Sequence, residues 1–171
     1  MHTVQHLDQN LPSVQDEKIH ENTADLFITG NMGVFLGNRR TDSPRFNWGA
    51  RLGFNATPTG TVGKLSYAVS YNHLSYTPAG STLSYTVGEL MFQVLIRKLF
   101  NTGIYFGPEA GIGLLSSSVS GTTSTSRFDY GALVGYDYHL DHTFSFGPEI
   151  HYTAMNYIAA YKFLFGLTYH I

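Results

Sequence analysis

At 171 residues the chain is long enough for one sizeable domain and too short for two comfortable ones. Charged residues make up 13% and aromatics 15%, a mixture that excludes disorder and an ordinary helical domain. The net charge of -2 leaves no basic footprint for nucleic acid, and the absence of cysteine removes disulfides and thiolate metal sites.

Met1 to Ala24 is polar and mixed in charge, and it lacks the apolar core of a secretory signal. The sequence therefore reads as a mature form with a flexible extension over 1–24 and a folded unit over 25–171. No helical membrane span is visible, because the longest stretch without Asp, Glu, Lys or Arg, Leu65 to Gly88, is full of Ser, Thr, Asn, Gly and Pro.

From Asp25 onward apolar residues recur at every second position between clusters of Gly, Pro, Ser, Thr and Asn, which is strand periodicity. The pattern predicts eight strands, near Asp25–Gly37, Phe46–Ala56, Lys64–Tyr76, Leu83–Arg97, Gly103–Leu115, Arg127–Leu140, Thr143–Met155 and Tyr157–Ile171. Turn chemistry separates them, as in Thr57-Pro58-Thr59-Gly60 and Thr77-Pro78-Ala79-Gly80, and Ser116 to Ser126 is the longest connection.

Each strand has an apolar and a charged face. In the second, Phe46, Trp48, Ala50, Leu52 and Phe54 oppose Asn47, Gly49, Arg51, Gly53 and Asn55. In the eighth, Tyr161, Phe163, Phe165, Leu167, Tyr169 and Ile171 oppose Lys162, Leu164, Gly166, Thr168 and His170. Every strand Lys, Arg, Asp and Glu falls on the second face. A soluble lipocalin-like barrel would bury the first face, and a membrane barrel would bury the second.

Two features select the membrane. Aromatics Trp48, Tyr67, Tyr130, Tyr138, Phe144, Tyr152 and Tyr169 stand toward strand ends with aliphatics between them, as interfacial girdles require. The charged face is rich in glycine, which suits a narrow lumen and would weaken water-exposed strands. The expected fold is all-β, an eight-stranded antiparallel up-and-down transmembrane β-barrel. An even strand count puts both termini on one side. With a periplasmic N-terminus, the first, third, fifth and seventh connections lie outside, and they are too short for a large binding platform.

Over Asp25 to Ile171 the sequence resembles the small outer-membrane barrel family of the OmpA and OmpX type. Gly166, Tyr169 and Ile171 look like the C-terminal assembly signal of that family, although the family more often ends in an aromatic and has a polar residue where Leu164 stands. The resemblance implies a location in the outer membrane of a Gram-negative bacterium, with outer-membrane lipid and the barrel-assembly machinery as partners. A duplicated Phe-Gly-Pro-Glu, at Phe106 to Glu109 and Phe146 to Glu149, looks like the hairpin repetition common in such barrels. Proline lacks the ladder's N–H, so a bulge or local break is expected at both sites.

At similar depth on the inward face stand Arg51, Glu89, Glu109, Glu149 and Lys162, read as an ion-paired cluster that fills the lumen. Counting back from a tight turn near Met155 and Asn156 pairs Lys162 with Glu149. A gated polar path is the alternative, with paired carboxylates for hydrolysis a distant third. His151 and Thr153 are similar to the His-x-Ser of outer-membrane lipid A deacylases, but their phase turns both into the lumen. The remaining histidines are scattered without metal-ligand spacing, so neither metal nor cofactor is expected. Gly111-Ile112-Gly113 continues into a strand and forms no phosphate loop. For Met1 to Ala24, a lumen plug or a periplasmic partner-binding arm is the alternative to a free extension. The function expected is that of a structural or surface-interaction barrel of the cell envelope, monomeric and not an enzyme.

Overall fold

The computed structural model describes residues 26–37, 45–56, 63–76, 85–97, 102–117, 125–155 and 158–171. The extension expected over 1–24, residue 25 and the centre of the Ser116 to Ser126 connection lie outside them. The strands are β1 (Leu26–Gly37), β2 (Arg45–Asn55), β3 (Lys64–Tyr76), β4 (Tyr85–Arg97), β5 (Ile104–Ser117), β6 (Thr125–Tyr136), β7 (Tyr138–His139), β8 (Phe144–Met155) and β9 (Ile158–His170). Successive strands pair antiparallel and β9 closes on β1. Both β6 and β7 pair with β8 in one register, so they form a single spanning strand interrupted at Asp137. The fold is thus an eight-stranded up-and-down barrel.

Its stagger follows from the registers. From Phe27, the partners run through Gly53, Ala68, Gln93, Glu109, Gly131, Thr153 and Ala160, and the circuit returns to β1 at Gly37, ten residues along. Such shear tilts the strands by about 35–45° and leaves an interior that side chains can fill.

Which face lies inside is settled by exposure. The apolar row points outward on every spanning strand, with Leu52 56% and Leu167 53% exposed, while Arg51, Glu149 and Lys162 are buried. An apolar belt of this extent is tolerable only against lipid, which removes the lipocalin-like alternative.

Both Phe-Gly-Pro-Glu copies interrupt the ladder on one side. Pairing between β4 and β5 lapses from Gln93↔Glu109 to Ile96↔Phe106, and between β8 and its neighbours from Gly135↔Glu149 to Tyr138↔Phe146. Register is unchanged across each gap, so these are breaks and not bulges. On the other side both prolines stay in register, opposite Ala132 and Phe165. The preceding glycine is required at each break: a Cβ on Gly107 would lie 1.8 Å from the Val94 carbonyl oxygen, and one on Gly147 would lie 1.6 Å from that of Tyr136. Gly107→Val or Gly147→Val should therefore abolish the compact, heat-modifiable band in SDS gels, and a normal band would show that the strands can part at no cost.

The connection between β7 and β8 has its own lock. Asp141 Oδ1 accepts from the backbone N–H groups of Thr143 and Phe144, both at 2.7 Å, which holds its carboxyl below the usual carboxylate range. Leu140, expected at a strand end, belongs to this turn.

Candidate functional site

The interior is built from the inward rows, where long charged side chains alternate with glycine. Arg51 stands between Gly49 and Gly53, Glu109 between Gly107 and Gly111, and Glu149 next to Gly147. A lumen filled by side chains holds such long groups only where their row neighbours are small.

Arg51 forks onto Glu149, with Nη1 donating to Oε1 at 2.9 Å and Nη2 to Oε2 at 2.5 Å. His151 Nε2 lies 2.9 Å from Glu149 Oε2, and its Nδ1 lies 3.1 and 3.2 Å from the carboxylate oxygens of Glu109. Carboxylates on both ring nitrogens are satisfied together only by a ring that donates from both. Gln93 Nε2 donates to Glu109 Oε2 at 2.8 Å and to Ser70 Oγ at 3.1 Å. A continuous chain from Arg51 to Ser70 thus crosses the barrel. Farther along, Lys162 Nζ donates to Glu89, and Asp129 faces both of them.

Toward the end where β1 begins, the filling becomes apolar. Leu95, Tyr105 and Leu133 form a buried cluster beside Phe27. Arg97 lies over the Phe27 ring at 4.3 Å and near the Tyr105 ring at 5.4 Å, and its guanidinium donates to Asp137. The break at Asp137 therefore has a second use, because it presents a carboxylate to the arginine that caps this end.

The structure brings Arg51 and Glu149 together, and separately Lys162 and Glu89. Glu109 joins the first group through His151. The expected pairing of Lys162 with Glu149 is incorrect. In the observed register Ala154 faces Ala159 and Met155 faces Ile158, so His151 is opposite Lys162, and Glu149 is opposite Leu164. The hairpin is centred one residue farther along than the count assumed, which moves the register by two; a shift of two preserves the face but exchanges the partner. Gln93, Arg97, Asp129 and Asp137 are not among the residues of the expected cluster, although all are inward by parity. Their involvement follows from the stagger, which sets depth and is invisible in any single strand.

The aromatic residues fall into two groups on the outer face. Tyr67, Tyr138, Phe144 and Tyr169 stand at the end where β1 begins, with Phe144 packed on Tyr169 at 5.2 Å. Trp48, Tyr130 and Tyr152 stand toward the far end, with Tyr152 on Tyr161 at 5.3 Å. Gly166 sits opposite Asn31 and Gly147, Tyr169 points outward, and the Ile171 N–H donates to the Leu26 carbonyl at 3.0 Å. His151 and Thr153 are both buried in the interior. Among the described residues no group of His, Asp and Glu forms a metal site.

No protein-family model matches the chain, and neither does any curated protein. Solved structures do. Neisserial surface protein A aligns with a TM-score of 0.65 and 11% identity over 86% of this chain and 97% of its own. Ail, the attachment invasion locus protein of Yersinia pestis, aligns with a TM-score of 0.57 and 10% identity over 85% of this chain and 96% of its own. With its inverted faces and closed sheet, the chain has the fold of the small eight-stranded β-barrels of the bacterial outer membrane, the OmpA and OmpX type.

Proposed function

We propose that this chain serves the outer membrane as a structural or surface-interaction barrel, with a filled, ion-paired lumen and no catalytic activity. The observation that carries the reading is the pair of obstructions in series. The Arg51–Glu149–His151–Glu109–Gln93 chain spans the interior, and the Phe27, Leu95, Tyr105 and Leu133 layer under Arg97 closes one end. Apolar constrictions of this kind exclude water and ions. In planar bilayers the folded barrel should pass essentially no steady current, and a large, stable single-channel conductance would overturn the proposal. A surface role accords with the names of the two aligned proteins, one a surface protein and the other an attachment invasion locus protein. Outer-membrane lipid and the barrel-assembly machinery are the partners proposed. Gly166, Tyr169 and Ile171 serve as the assembly signal of a barrel that acts as a monomer.

One observation favours a narrow or gated path as the second reading. Asn31, Asn47 and Asn72 are buried, yet both amide atoms of each lack a protein hydrogen-bond partner, so they call for water inside the far half. The ion-paired chain and the apolar layer behind it close that region toward the end where β1 begins, which makes it a blind chamber unless both move. A lipid-modifying enzyme has less support. His151 and Thr153 face the lumen, and the outward face of the described strands, which does carry His73 and Ser75, has no Asp or Glu to accompany them.

A further inference from the structure

The outward rows of the described strands carry no Lys, Arg, Asp or Glu, and a single imidazole, that of His73. It stands near the far end of β3 within a local polar notch. Trp48 is opposite His73, and His73 is opposite Gly88; in the next row Ser75 is opposite Thr86. The indole of Trp48 lies 5.1 Å from the His73 ring, tilted by 34°, and 6.2 Å from the Tyr71 ring in an edge arrangement. Tyr71 Oη is 3.5 Å from His73 Nδ1 and reaches over Gly88, where a Cβ would come within 3.1 Å of it.

These groups share one chemistry. Indole N–H, imidazole N–H, phenol O–H and two hydroxyls can all donate, and no carboxylate competes for them. In the acyl region an imidazole and two hydroxyls would lose their hydration without return. At the depth of the far aromatic group, beside Tyr130, Tyr152 and Tyr161, they meet headgroups. The anion that a bilayer presents at this level is phosphate, and among the outward rows of the described strands His73 is the one residue of basic type. The outward positions Phe46, Val34 and Phe128 at this end are apolar.

We propose that Trp48, Tyr71, His73, Ser75 and Thr86, arranged around Gly88, form a binding site for the phosphate of a membrane lipid headgroup. Tyr71, lying over Gly88, supplies the floor, Trp48 a wall, and His73 the imidazole.

Trp48 is the only tryptophan in the chain, so its fluorescence reports on this site alone. The wild-type barrel would be folded into vesicles of phosphate-free galactolipid doped with a few per cent of phosphatidic acid carrying brominated chains. A matched sample would contain the same brominated chains on galactolipid. Phosphatidic acid at the site should be enriched about fivefold over its bulk fraction, seen as excess quenching. The galactolipid should quench only in proportion to its amount. His73→Gln should bring the phosphatidic acid curve down to the galactolipid curve. Equal quenching by the two lipids in the wild type would overturn the site. So would excess quenching that His73→Gln leaves unchanged, because the girdle alone would then account for it.

Discussion

Arg51→Ala should destabilise the barrel by roughly 3–5 kcal/mol, more than any single truncation on the lipid face. Arg51 and Glu149 are both almost wholly buried, so solvent screening does little to discount the loss. Truncation removes two donors from Glu149 and leaves it the Tyr105 hydroxyl and His151, and His151 is already shared with Glu109. Two carboxylates would then compete for one imidazole in a low-dielectric lumen. Arg51→Met with Glu149→Gln removes both charges and keeps most of the volume, and Gln can still accept from His151. That double variant should recover at least half of the loss, because replacing both partners of a buried pair is far milder than orphaning one. Reversible urea unfolding from lipid vesicles measures both. A double variant as unstable as Arg51→Ala would show that volume, and not stranded charge, dominates.

The fold was legible because a barrel writes itself in a period of two. Every inward charge could be assigned to its face from parity, which is why Arg51, Glu109 and Glu149 were placed inside without coordinates. Parity also located the Phe-Gly-Pro-Glu breaks, since a proline on an outward position has no N–H to give its neighbour. What parity cannot supply is depth. Depth depends on the stagger, and the stagger depends on hairpin lengths; an error of two in the β8–β9 register leaves every face correct and reassigns every partner between those strands. The exchange of Glu149 for His151 opposite Lys162 is that error made visible. His73 was hidden for another reason: a histidine among many scattered ones has no signal until the outward rows are laid side by side.

Lys162 pairs with Glu89 across the lumen and not with Glu149 on the neighbouring strand, and a double-mutant cycle can test this. Coupling between Lys162→Met and Glu89→Gln should reach about 1–3 kcal/mol, the range for residues in one ion-pair network. Coupling between Lys162→Met and Glu149→Gln should be less than half of that, since Glu149 is satisfied by Arg51 and His151 and touches Lys162 only through the latter. The two ends of the Lys162–Glu89 pair are also unequal. Removing Glu89 leaves the Lys162 ammonium facing Asp129, another carboxylate, whereas removing Lys162 leaves Glu89 and Asp129 facing each other with their shared cation gone. Lys162→Ala should therefore cost more than Glu89→Gln. Adding Asp129→Asn should restore stability to the Lys162 variant and change the wild type far less, because only in the variant do the two carboxylates face each other without a cation. Unfolding free energies from the same vesicle titration would test the full set. Stronger coupling to Glu149 than to Glu89 would mean that β8 and β9 pair two residues away from the register seen here, and an Asp129→Asn change that destabilises both backgrounds equally would remove Asp129 from the cluster.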